Sequence, residues 1–486
     1  MTSETKPQIS NTAPNTPPNE QGSGVTEETS LQQVNLAGVL YKLKAAFGNW
    51  FGERYGGTLE NPGNLREQCL KALDKQGEIS GMVLIAQVAD AYQHMARPEK
   101  LSFFRMLARD LSVDQSRVSS AARAYLETEG TRIEEITDLK SVLESPRLRL
   151  FRLFNTNSGG SKFLVDLRAD LLAELPKEPE LIGVEYDLRH LLITWFNIGV
   201  LRLERLTWET SAETLEKLIE YEAVHQITSW DDLKRRLTSD RMAFAFFHPA
   251  MPGEPVIFLE AAMVKGLASS IQALLDPNRP TLAAHQVDTA IFYSISNAQK
   301  GLRGIPLGNF LIKQVLAKLR TEFSHISTFA TLSPLPNFRR GFLEPELVSG
   351  GLARFFQKAE VASLCAITGQ KNISQALTAA LNVPVWNEEK NLEQALRPGL
   401  LRAVRFYLTE VRKNDTSAAC PVAHFHASNG ALLGRINWLA DLSTKGLRQS
   451  MGIMVNYVYD PKQFENAQAA YVRKGMLTLS KEVKNL

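Results

Sequence analysis

The stretch TAIFYSISNAQKGLRGIPLGNFLIKQVLAKLRTEF, residues 289–323, indicates how the second half of this 486-residue chain folds. It reads as an apolar strand, a glycine-rich turn and an amphipathic helix that carries Leu311, Val315 and Leu319 on one stripe. Three glycines and Pro306 near the helix start leave several backbone N–H groups pointing outward. Such a terminus suits a phosphate or pyrophosphate group, and the pattern predicts a mixed α/β domain.

This glycine-rich turn is neither of the two common nucleotide-binding loops. It lacks the Gly-Lys-Ser/Thr ending of a P-loop, and it contains no G-x-G-x-x-G pattern. Arg303 adds a fixed positive charge beside the helix start. Many α/β proteins use a turn of this kind only to pack a helix on a sheet, so the pattern alone leaves both roles open.

A second segment, TFATLSPLPNF at residues 328–338, places a hydroxyl group at a predicted strand end. Its alternating apolar strand runs to Ser333, and Pro334 and Pro336 prevent a central strand from continuing. A serine fixed there can hydrogen-bond into a cleft, or it can be an ordinary turn residue.

A third segment, PVAHFHASNGALLGRINWLAD at residues 421–441, places an imidazole among apolar and small residues. Alternation from Val422 to His426 predicts a short strand that Asn429-Gly430 ends, followed by a helical segment around Trp438. His426 is either a ligand-facing group beside the turn or a hydrogen-bonded structural histidine.

Together these segments resemble the malonyl-CoA decarboxylase family. The resemblance rests on FYSIS at 292–296, QKGLRGIPLGNFLIK at 299–313, TLSPLPNF at 331–338 and VAHFHASNGALLGRINWLAD at 422–441, with further similarity at 191–210 and 248–268. It covers nearly everything after the first thirty residues. It implies a catalytic domain of the GNAT-type acyltransferase fold, in which CoA enters where two neighbouring strands separate, and conversion of malonyl-CoA to acetyl-CoA and CO2.

By that resemblance, Ser333 is the catalytic proton acceptor and His426 is the catalytic proton donor. The loop that binds the CoA pyrophosphate corresponds to Arg303, Gly304, Ile305, Pro306, Leu307, Gly308 and Asn309. Ser294 and Gln299 flank this loop and are further candidates for the substrate site. Two residues depart from the family pattern, because Pro306 stands where some relatives carry a glutamate and His424 stands where an asparagine is common. A carboxylate role at the loop position therefore does not transfer to this chain.

The chemistry agrees with these residue types. Loss of CO2 from malonyl-CoA leaves an enolate that the thioester carbonyl delocalises, so we expect no metal and no cofactor beyond the CoA of the substrate. The reaction needs orientation, oxyanion stabilisation and a proton donor. Histidine is the side chain most easily tuned to deliver a proton near neutral pH.

Three other interpretations use the same residues. A GNAT-type acyltransferase would need a channel for an acceptor and a general base, and the pairing of Ser333 with His426 favours decarboxylation instead. A non-catalytic acyl-CoA-binding scaffold would bind malonyl-CoA without turnover. Cys420, six residues before His426, suggests a Cys-His nucleophile, but proximity in sequence does not orient a thiolate toward imidazole.

Tyr457 is either an acid in the cleft or a buried strand residue.

Composition narrows the class of protein. The net charge of +3 is too small to favour a nucleic-acid partner, and no apolar run reaches the length of a membrane helix. The three cysteines are scattered without zinc spacing, which is typical of a reduced cytoplasmic protein. Four histidines lack partners at metal-ligand spacing and are expected to be structural: His225, His248, His285 and His325.

The chain is predicted to contain a tail and two domains. Residues 1–30 are polar, lack aromatic residues and resemble neither a presequence nor a secretory signal, so a flexible tail is expected. Residues 31–180 show helical stripes only and predict an all-α bundle, which the resemblance associates with a homo-oligomer such as a tetramer; the bundle alternatively only shields its neighbour. Residues 181–486 form the predicted catalytic domain. Its strands are predicted at 242–247, 256–263, 290–296, 328–332, 422–426 and 453–459.

Overall fold

The computed structural model describes residues 65–128 and 130–486. Its first part is helical, as predicted, and residues 65–195 are called the helical region below. The helices are α1 (Leu65–Asp74), α2 (Ile79–Gln93), α3 (Arg97–Asp110), α4 (Gln115–Glu127), α5 (Ile133–Leu143), α6 (Pro146–Thr156), α7 (Gly160–Glu174) and α8 (Ile182–Trp195). The predicted tail and residues 31–64 of the predicted bundle lie outside the described residues.

Six of these helices pack around one apolar core. Phe104 of α3, Phe151 of α6 and Leu164 of α7 are fully buried in it, which removes large apolar surfaces from water. Helix α8 lies beyond the predicted domain boundary at residue 180 and packs on the same core through Leu188. No helix in the described ranges is long and apolar enough to cross a bilayer.

The remaining residues form one mixed sheet and the helices that cover it. The strands are β1 (Arg202–Leu206), β2 (Arg241–Phe247), β3 (Pro255–Val264), β4 (Thr289–Asn297), β5 (Thr328–Thr331), β6 (Ser333–Pro334), β7 (Leu432–Asn437) and β8 (Met454–Val458). The helices are α9 (Ala212–Tyr221), α10 (Trp230–Arg236), α11 (Ile271–Leu275), α12 (Gly308–Glu322), α13 (Glu344–Val348), α14 (Lys358–Thr368), α15 (Ile373–Leu381), α16 (Lys390–Thr409), α17 (Pro421–Ser428), α18 (Thr444–Ser450), α19 (Phe464–Lys474) and α20 (Lys481–Lys484).

The central strands are buried on both faces because their side chains alternate between two apolar layers. On β2, Phe244 faces the core that includes α12, whereas Ala245 faces the smaller core that includes α9. Neighbouring strands from β1 to β4 are antiparallel, β4 is parallel to β5, and β8 is antiparallel to β5, β6 and β7. This arrangement confirms the expected mixed α/β domain after a helical region.

Strands β4 and β5 separate half-way along β4. Their pairing ends where Phe292 is opposite Thr331, and the Leu332 N–H makes one last bond to the Phe292 carbonyl at 3.0 Å. The chain then crosses to β8, where Ser333 is opposite Val455. From Tyr293 onward, the edge of β4 that faced β5 therefore pairs with no strand of the described residues, and a cavity opens at this point.

The predicted strand at residues 422–426 is wrong, because this segment is the helix α17 (Pro421–Ser428). Pro421 occupies the first helical turn, where its fixed φ is favourable and its missing N–H costs nothing. Ala423, His426 and Ala427 are the buried residues, and their spacing is helical rather than alternating. The predicted helix around Trp438 is also wrong, because strand β7 precedes it and ends at Asn437.

Candidate active site

A cavity of about 300 Å³ lies where β4 and β5 separate. It is bounded by β4, by the start of α12, by the crossing segment after β5 and by α17. Its lining residues are Val224, Ile257, Phe292, Tyr293, Ser294, Ile295, Asn297, Ile305, Pro306, Gly308, Asn309, Thr331, Ser333, Pro334, Pro421, Val422, Phe425 and His426. Among these described residues there is no Lys, Arg, Asp or Glu, so the wall combines apolar side chains with neutral polar ones, and His426 is its one imidazole.

Ser333 and His426 meet at this cavity although 93 residues separate them in sequence. Ser333 Oγ lies 3.1 Å from His426 Nε2, and both side chains are buried. The strand crossing fixes the serine, and the last turn of α17 fixes the histidine. The structure therefore brings the two predicted catalytic residues into hydrogen-bond contact.

The hydroxyl groups of Thr331 and Tyr459 form hydrogen bonds with the outer sides of the Ser333–His426 pair. Ser333 Oγ donates to Thr331 Oγ1 at 2.8 Å, and Thr331 Oγ1 also accepts the Tyr457 N–H at 3.1 Å. With the serine proton used there, the His426 tautomer that carries its proton on Nε2 donates to Ser333 Oγ. The other ring nitrogen, Nδ1, then accepts the Tyr459 hydroxyl at 2.8 Å.

The environment of His426 holds the ring neutral in the free protein. Burial disfavours the charged imidazolium and lowers the pKa of His426 to about 3. Tyr457 stacks on the ring at a centroid distance of 4.7 Å, which keeps water from that face. The Tyr457 hydroxyl is buried without a hydrogen-bond partner among the described residues. Tyr457 is thus a packing neighbour of the histidine and does not line the cavity.

The loop between β4 and α12, residues 298–309, forms the second end of the site and is called the β4–α12 loop. Gly304 has a φ of +81°, a conformation that only glycine adopts readily. Among the described residues, no backbone acceptor pairs with the N–H groups of Gly304, Gly308 and Asn309. The side chain of Arg303 is exposed and unpaired with any described residue. Free N–H groups at a helix start beside a guanidinium make an anion-binding terminus.

The predicted loop residues divide between the cavity and the surface. Ile305, Pro306, Gly308 and Asn309 line the cavity, whereas Arg303 and Gly304 are exposed outside it and Leu307 is buried in the core. A Cβ at position 308 would lie 2.9 Å from the Phe425 ring, so glycine lets α12 approach α17 closely. Asn309 Oδ1 accepts the Asn429 side-chain amide at 2.8 Å, which joins the same two helices.

Ser294 and Gln299 occupy different positions. Ser294 lines the cavity, but its hydroxyl donates to the buried Glu222 carboxylate at 2.7 Å. That carboxylate also accepts the backbone N–H groups of Val224 and His225 at 2.7 and 2.8 Å, so it shapes the segment that presents Val224 to the cavity. Gln299 does not line the cavity, and its amide donates to the Glu254 carboxylate and to the Pro255 carbonyl.

The Cys-His interpretation has no geometric support. Burial raises the pKa of the Cys420 thiol, and both ring nitrogens of His426 have other partners. His248 is packed on Phe196 and contacts the Trp195 carbonyl between the helical region and the sheet. Within residues 65–128 and 130–486, no group of three His, Cys, Asp or Glu side chains is arranged to hold a metal ion.

Comparison with known proteins agrees with this architecture. The family model described as the malonyl-CoA decarboxylase C-terminal domain matches residues 199–486, and the model of the N-terminal domain matches residues 111–196. The chain belongs to the malonyl-CoA decarboxylase family. Among curated relatives, the mitochondrial malonyl-CoA decarboxylase of Anser anser anser is 37% identical over 395 residues, covering 78% of this chain and 77% of that protein. The Rattus norvegicus protein is 35% identical over 398 residues, covering 78% and 80%.

Solved structures of this family have the same fold. The malonyl-CoA decarboxylase from Rhodopseudomonas palustris superposes with a TM-score of 0.79 at 36% identity, covering 87% of this chain and 99% of that one. The protein from Agrobacterium vitis gives a TM-score of 0.76 at 35% identity, with the same coverage of both chains. The expected family and fold are therefore confirmed.

Sequence reasoning missed three groups that the family fold brings to the site. Tyr459 and Thr331 are the hydrogen-bond partners of His426 and Ser333, and Glu222 fixes a wall of the cavity. A signal existed for Thr331, which lies two residues before Ser333 on the same strand face. The other two contacts join segments that are 33 and 72 residues apart, and no local pattern reports them.

Proposed function

We propose that this protein decarboxylates malonyl-CoA to acetyl-CoA and CO2, with His426 as proton donor and Ser333 as its hydrogen-bond partner. The proposal rests on one observation above the others. In a member of this family, the Ser333–His426 pair lies at the neutral end of a cavity that opens where β4 and β5 separate.

The proton balance gives His426 a defined task. Malonyl-CoA carries a carboxylate, so release of neutral CO2 leaves its bonding electron pair on C2, and acetyl-CoA forms only when one proton is added there. His426 Nε2 is the nearest proton-bearing ring atom to the cavity, and Ser333 Oγ is 3.1 Å from it. Both the Tyr459 and the Ser333 oxygens can accept a hydrogen bond, so the site also tolerates a doubly protonated ring.

The negative charge of the substrate is expected to raise the pKa of His426. In the free protein the ring is neutral because burial lowers its pKa to about 3. A malonyl carboxylate that enters this neutral cavity favours the imidazolium form, because an opposite charge close by raises a histidine pKa. The histidine then takes up one proton from solvent and delivers it to C2 of the enolate, which is the one proton that the reaction consumes.

The described residues that line the cavity include no Lys or Arg, which also favours CO2 loss. A Lys or Arg salt bridge would stabilise the carboxylate of the bound substrate more than the enolate, and interactions that favour the ground state do not accelerate the reaction. Here the described lining offers the carboxylate no Lys or Arg, and the one cation that forms, the imidazolium of His426, loses its charge when it protonates the enolate. The negative charge gains more by moving to the delocalised thioester enolate than it would in a site that holds the carboxylate tightly.

The remainder of CoA fits the other features of the site. The unpaired edge of β4 from Tyr293 onward offers backbone N–H and C=O groups to the two amides of the pantetheine arm. The β4–α12 loop, with the free N–H groups of Gly304, Gly308 and Asn309 and the Arg303 guanidinium, binds the pyrophosphate. No metal and no further cofactor is part of the proposal.

The deciding experiment incubates the purified full chain with malonyl-CoA in the absence of any acceptor and measures CO2 and acetyl-CoA. We expect one CO2 for each acetyl-CoA. The variant His426→Asn is expected to lose about 10²- to 10⁴-fold in kcat, the usual contribution of a general acid. His424→Asn is the matched control, because His424 lies two residues away, pairs with Tyr471 and does not line the cavity.

The negative outcomes are distinct from one another. Binding of malonyl-CoA without release of CO2 contradicts the decarboxylase and supports a scaffold. Transfer of the malonyl group to an added amine, without CO2, supports an acyltransferase. Equal activity of wild type and His426→Asn contradicts the role of the histidine and leaves the reaction standing.

We also propose that the enzyme acts in the cytoplasm as a homo-oligomer, for example a tetramer, joined through the helical region. Three free cysteines support a reducing compartment. Ile182, Tyr186 and Ile193 are exposed on one face of α8, which supports an apolar contact surface there. Cell fractionation and light scattering of wild type and of Tyr186→Ser test the two points, and a monomer at micromolar concentration contradicts the second.

A further inference from the structure

The most buried arginine of the helical region reaches out of it to the β4–α12 loop. Arg168 of α7 is 2% exposed. Its Nη1 donates to the carbonyls of Gly301 and Arg303, the latter at 3.0 Å. Its Nη2 pairs with Glu185 of α8 at 2.6 Å. The guanidinium of Arg168 thus connects the helices α7 and α8 to the backbone of two loop residues, Gly301 and Arg303.

The backbones of Gly301 in the loop and Val165 in α7 are in direct contact beside the Arg168 side chain. A Cβ at position 301 would lie 1.7 Å from the Val165 carbonyl oxygen, so Gly301 allows the loop to rest directly on α7. Val165 and Leu302 are both buried in the core that belongs to the sheet. The loop and α7 are therefore packed as one body, and the side chain of Arg168 is part of that packing.

We propose that Arg168 is a positioning residue for CoA binding, which sets the direction of the loop's anion-binding N–H groups. This inference rests on the proposed function of the loop. The peptide unit is planar, so the C=O of one residue and the N–H of the next point in opposite directions. With the Arg303 carbonyl held by Arg168, the Gly304 N–H points away from the helical region, where no described backbone group accepts it.

Arginine suits this position better than other donors. Its planar fork presents several N–H groups in fixed directions, and here these serve two carbonyls and one carboxylate at once. A lysine has a single charged nitrogen and cannot match that spread. Glu185 balances the buried charge, so the guanidinium fixes the loop without presenting a free charge to the ligand.

The experiment compares two thioesters in the full-length protein. Malonyl-CoA carries the pyrophosphate, whereas malonyl-pantetheine has the same reacting group and arm but no phosphate. For Arg168→Lys and Arg168→Met we expect KM for malonyl-CoA to rise about tenfold, with kcat within about twofold, while both constants for malonyl-pantetheine stay unchanged. Calorimetric titration with CoA should give the same tenfold weakening.

Arg147→Met is the matched control. Arg147 is also a buried arginine of the helical region, paired with Asp187 at 2.7 Å, but it does not contact the loop. Its loss is expected to lower the melting temperature without changing the ratio of the KM values for malonyl-CoA and malonyl-pantetheine. If the Arg168 variants change both thioesters equally, or leave KM for malonyl-CoA unchanged, Arg168 is only a structural residue and the inference is wrong.

A second variant approaches the same contact from the loop. Gly301→Ala forces the loop away from the Val165 carbonyl without removing any charge, and it should give the same loss confined to malonyl-CoA. This variant keeps the inference testable if Arg168→Met does not fold. Failure of the wild type to release CO2 from either thioester contradicts the proposed function, whereas equal effects on both thioesters in an active enzyme contradict only the role of Arg168.

Discussion

The two ends of the candidate active site are built on opposite physical principles. At the reaction end, Ser333 and His426 are 6% and 3% exposed, neutral and fully hydrogen-bonded. At the loop end, Arg303 and Gly304 are exposed, and unpaired N–H groups and a positive charge face outward. The comparison indicates that burial sets the pKa of the reacting side chain, whereas exposed charge and free backbone N–H groups suit the binding of the CoA pyrophosphate. Changes at the first end should act on kcat, and changes at the second should act on KM and depend on salt.

After His426→Asn, the largest effect is expected at Ser333. Ser333→Ala removes the acceptor of the His426 Nε2 proton and the donor to Thr331, so kcat should fall by about 10²- to 10³-fold. Ser450→Ala is the control, because Ser450 is equally buried and hydrogen-bonded to the Ile453 carbonyl, away from the cavity. Steady-state kinetics and thermal denaturation of both variants separate catalysis from folding. Similar kcat values for the two would show that the hydroxyl at the strand crossing has no special role.

The next effect concerns the far side of the imidazole. Tyr459→Phe leaves His426 Nδ1 without its 2.8 Å partner in a buried site, which costs about 1–3 kcal/mol and corresponds to a kcat about 5- to 160-fold lower. KM should change little, because Tyr459 does not line the cavity.

The chain contains a matched pair for this test. Tyr471 contacts His424 Nδ1 at 2.9 Å, so Tyr471→Phe removes the same kind of contact from a histidine outside the cavity. It should leave kcat within about twofold, and the double variant Tyr459→Phe/His426→Asn should be no slower than His426→Asn alone. Additive losses would mean that Tyr459 acts independently of the histidine.

The sequence predicted the framework of the site better than its details. Alternating apolar residues predict β2, β3 and β4, which are seven to ten residues long, and they also predict β5 and β8, which have four and five residues. The eight-residue segment at α17 was misassigned, since Val422, His424 and His426 alternate while Ala423, His426 and Ala427 also follow a helical period. Over so few residues the two periods cannot be told apart, and only packing against α12 decides between them.

Contacts across the fold were beyond any local pattern. His426 and Tyr459 are 33 residues apart, and Arg168 and Arg303 are 135 residues apart. Their meeting depends on sheet register and on how α7 rests on the β4–α12 loop. The resemblance to the family identified Ser333 and His426 as a pair, but the positions of their partners followed only from the assembled strands.

At the loop end, a smaller effect that depends on salt is expected. Arg303→Gln removes an exposed charge beside the helix start, so KM for malonyl-CoA should rise about threefold to tenfold at low ionic strength, with kcat unchanged. The difference from wild type should shrink as salt increases, because the Debye length falls to about 3 Å at 1 M. Lys318→Gln is the control, since Lys318 is exposed further along the same helix. A change that persists at high salt would contradict a purely electrostatic role for Arg303.

The smallest effect is on the free energy of unfolding of the free protein, and it is measured without substrate. Burial lowers the pKa of His426 from 6.5 to about 3, so between these pH values the unfolded chain binds a proton that the folded chain does not. Stability from this group is therefore present above pH 6.5 and declines as the pH falls, by roughly 1 kcal/mol between pH 8 and pH 6. Denaturant unfolding of His426→Asn should show a correspondingly smaller decline over that range, whereas exposed His325→Asn should follow the wild type. An unchanged decline in His426→Asn would mean that burial does not lower the pKa of the ring in the free protein, which would remove the contrast between a neutral reaction end and a charged loop end.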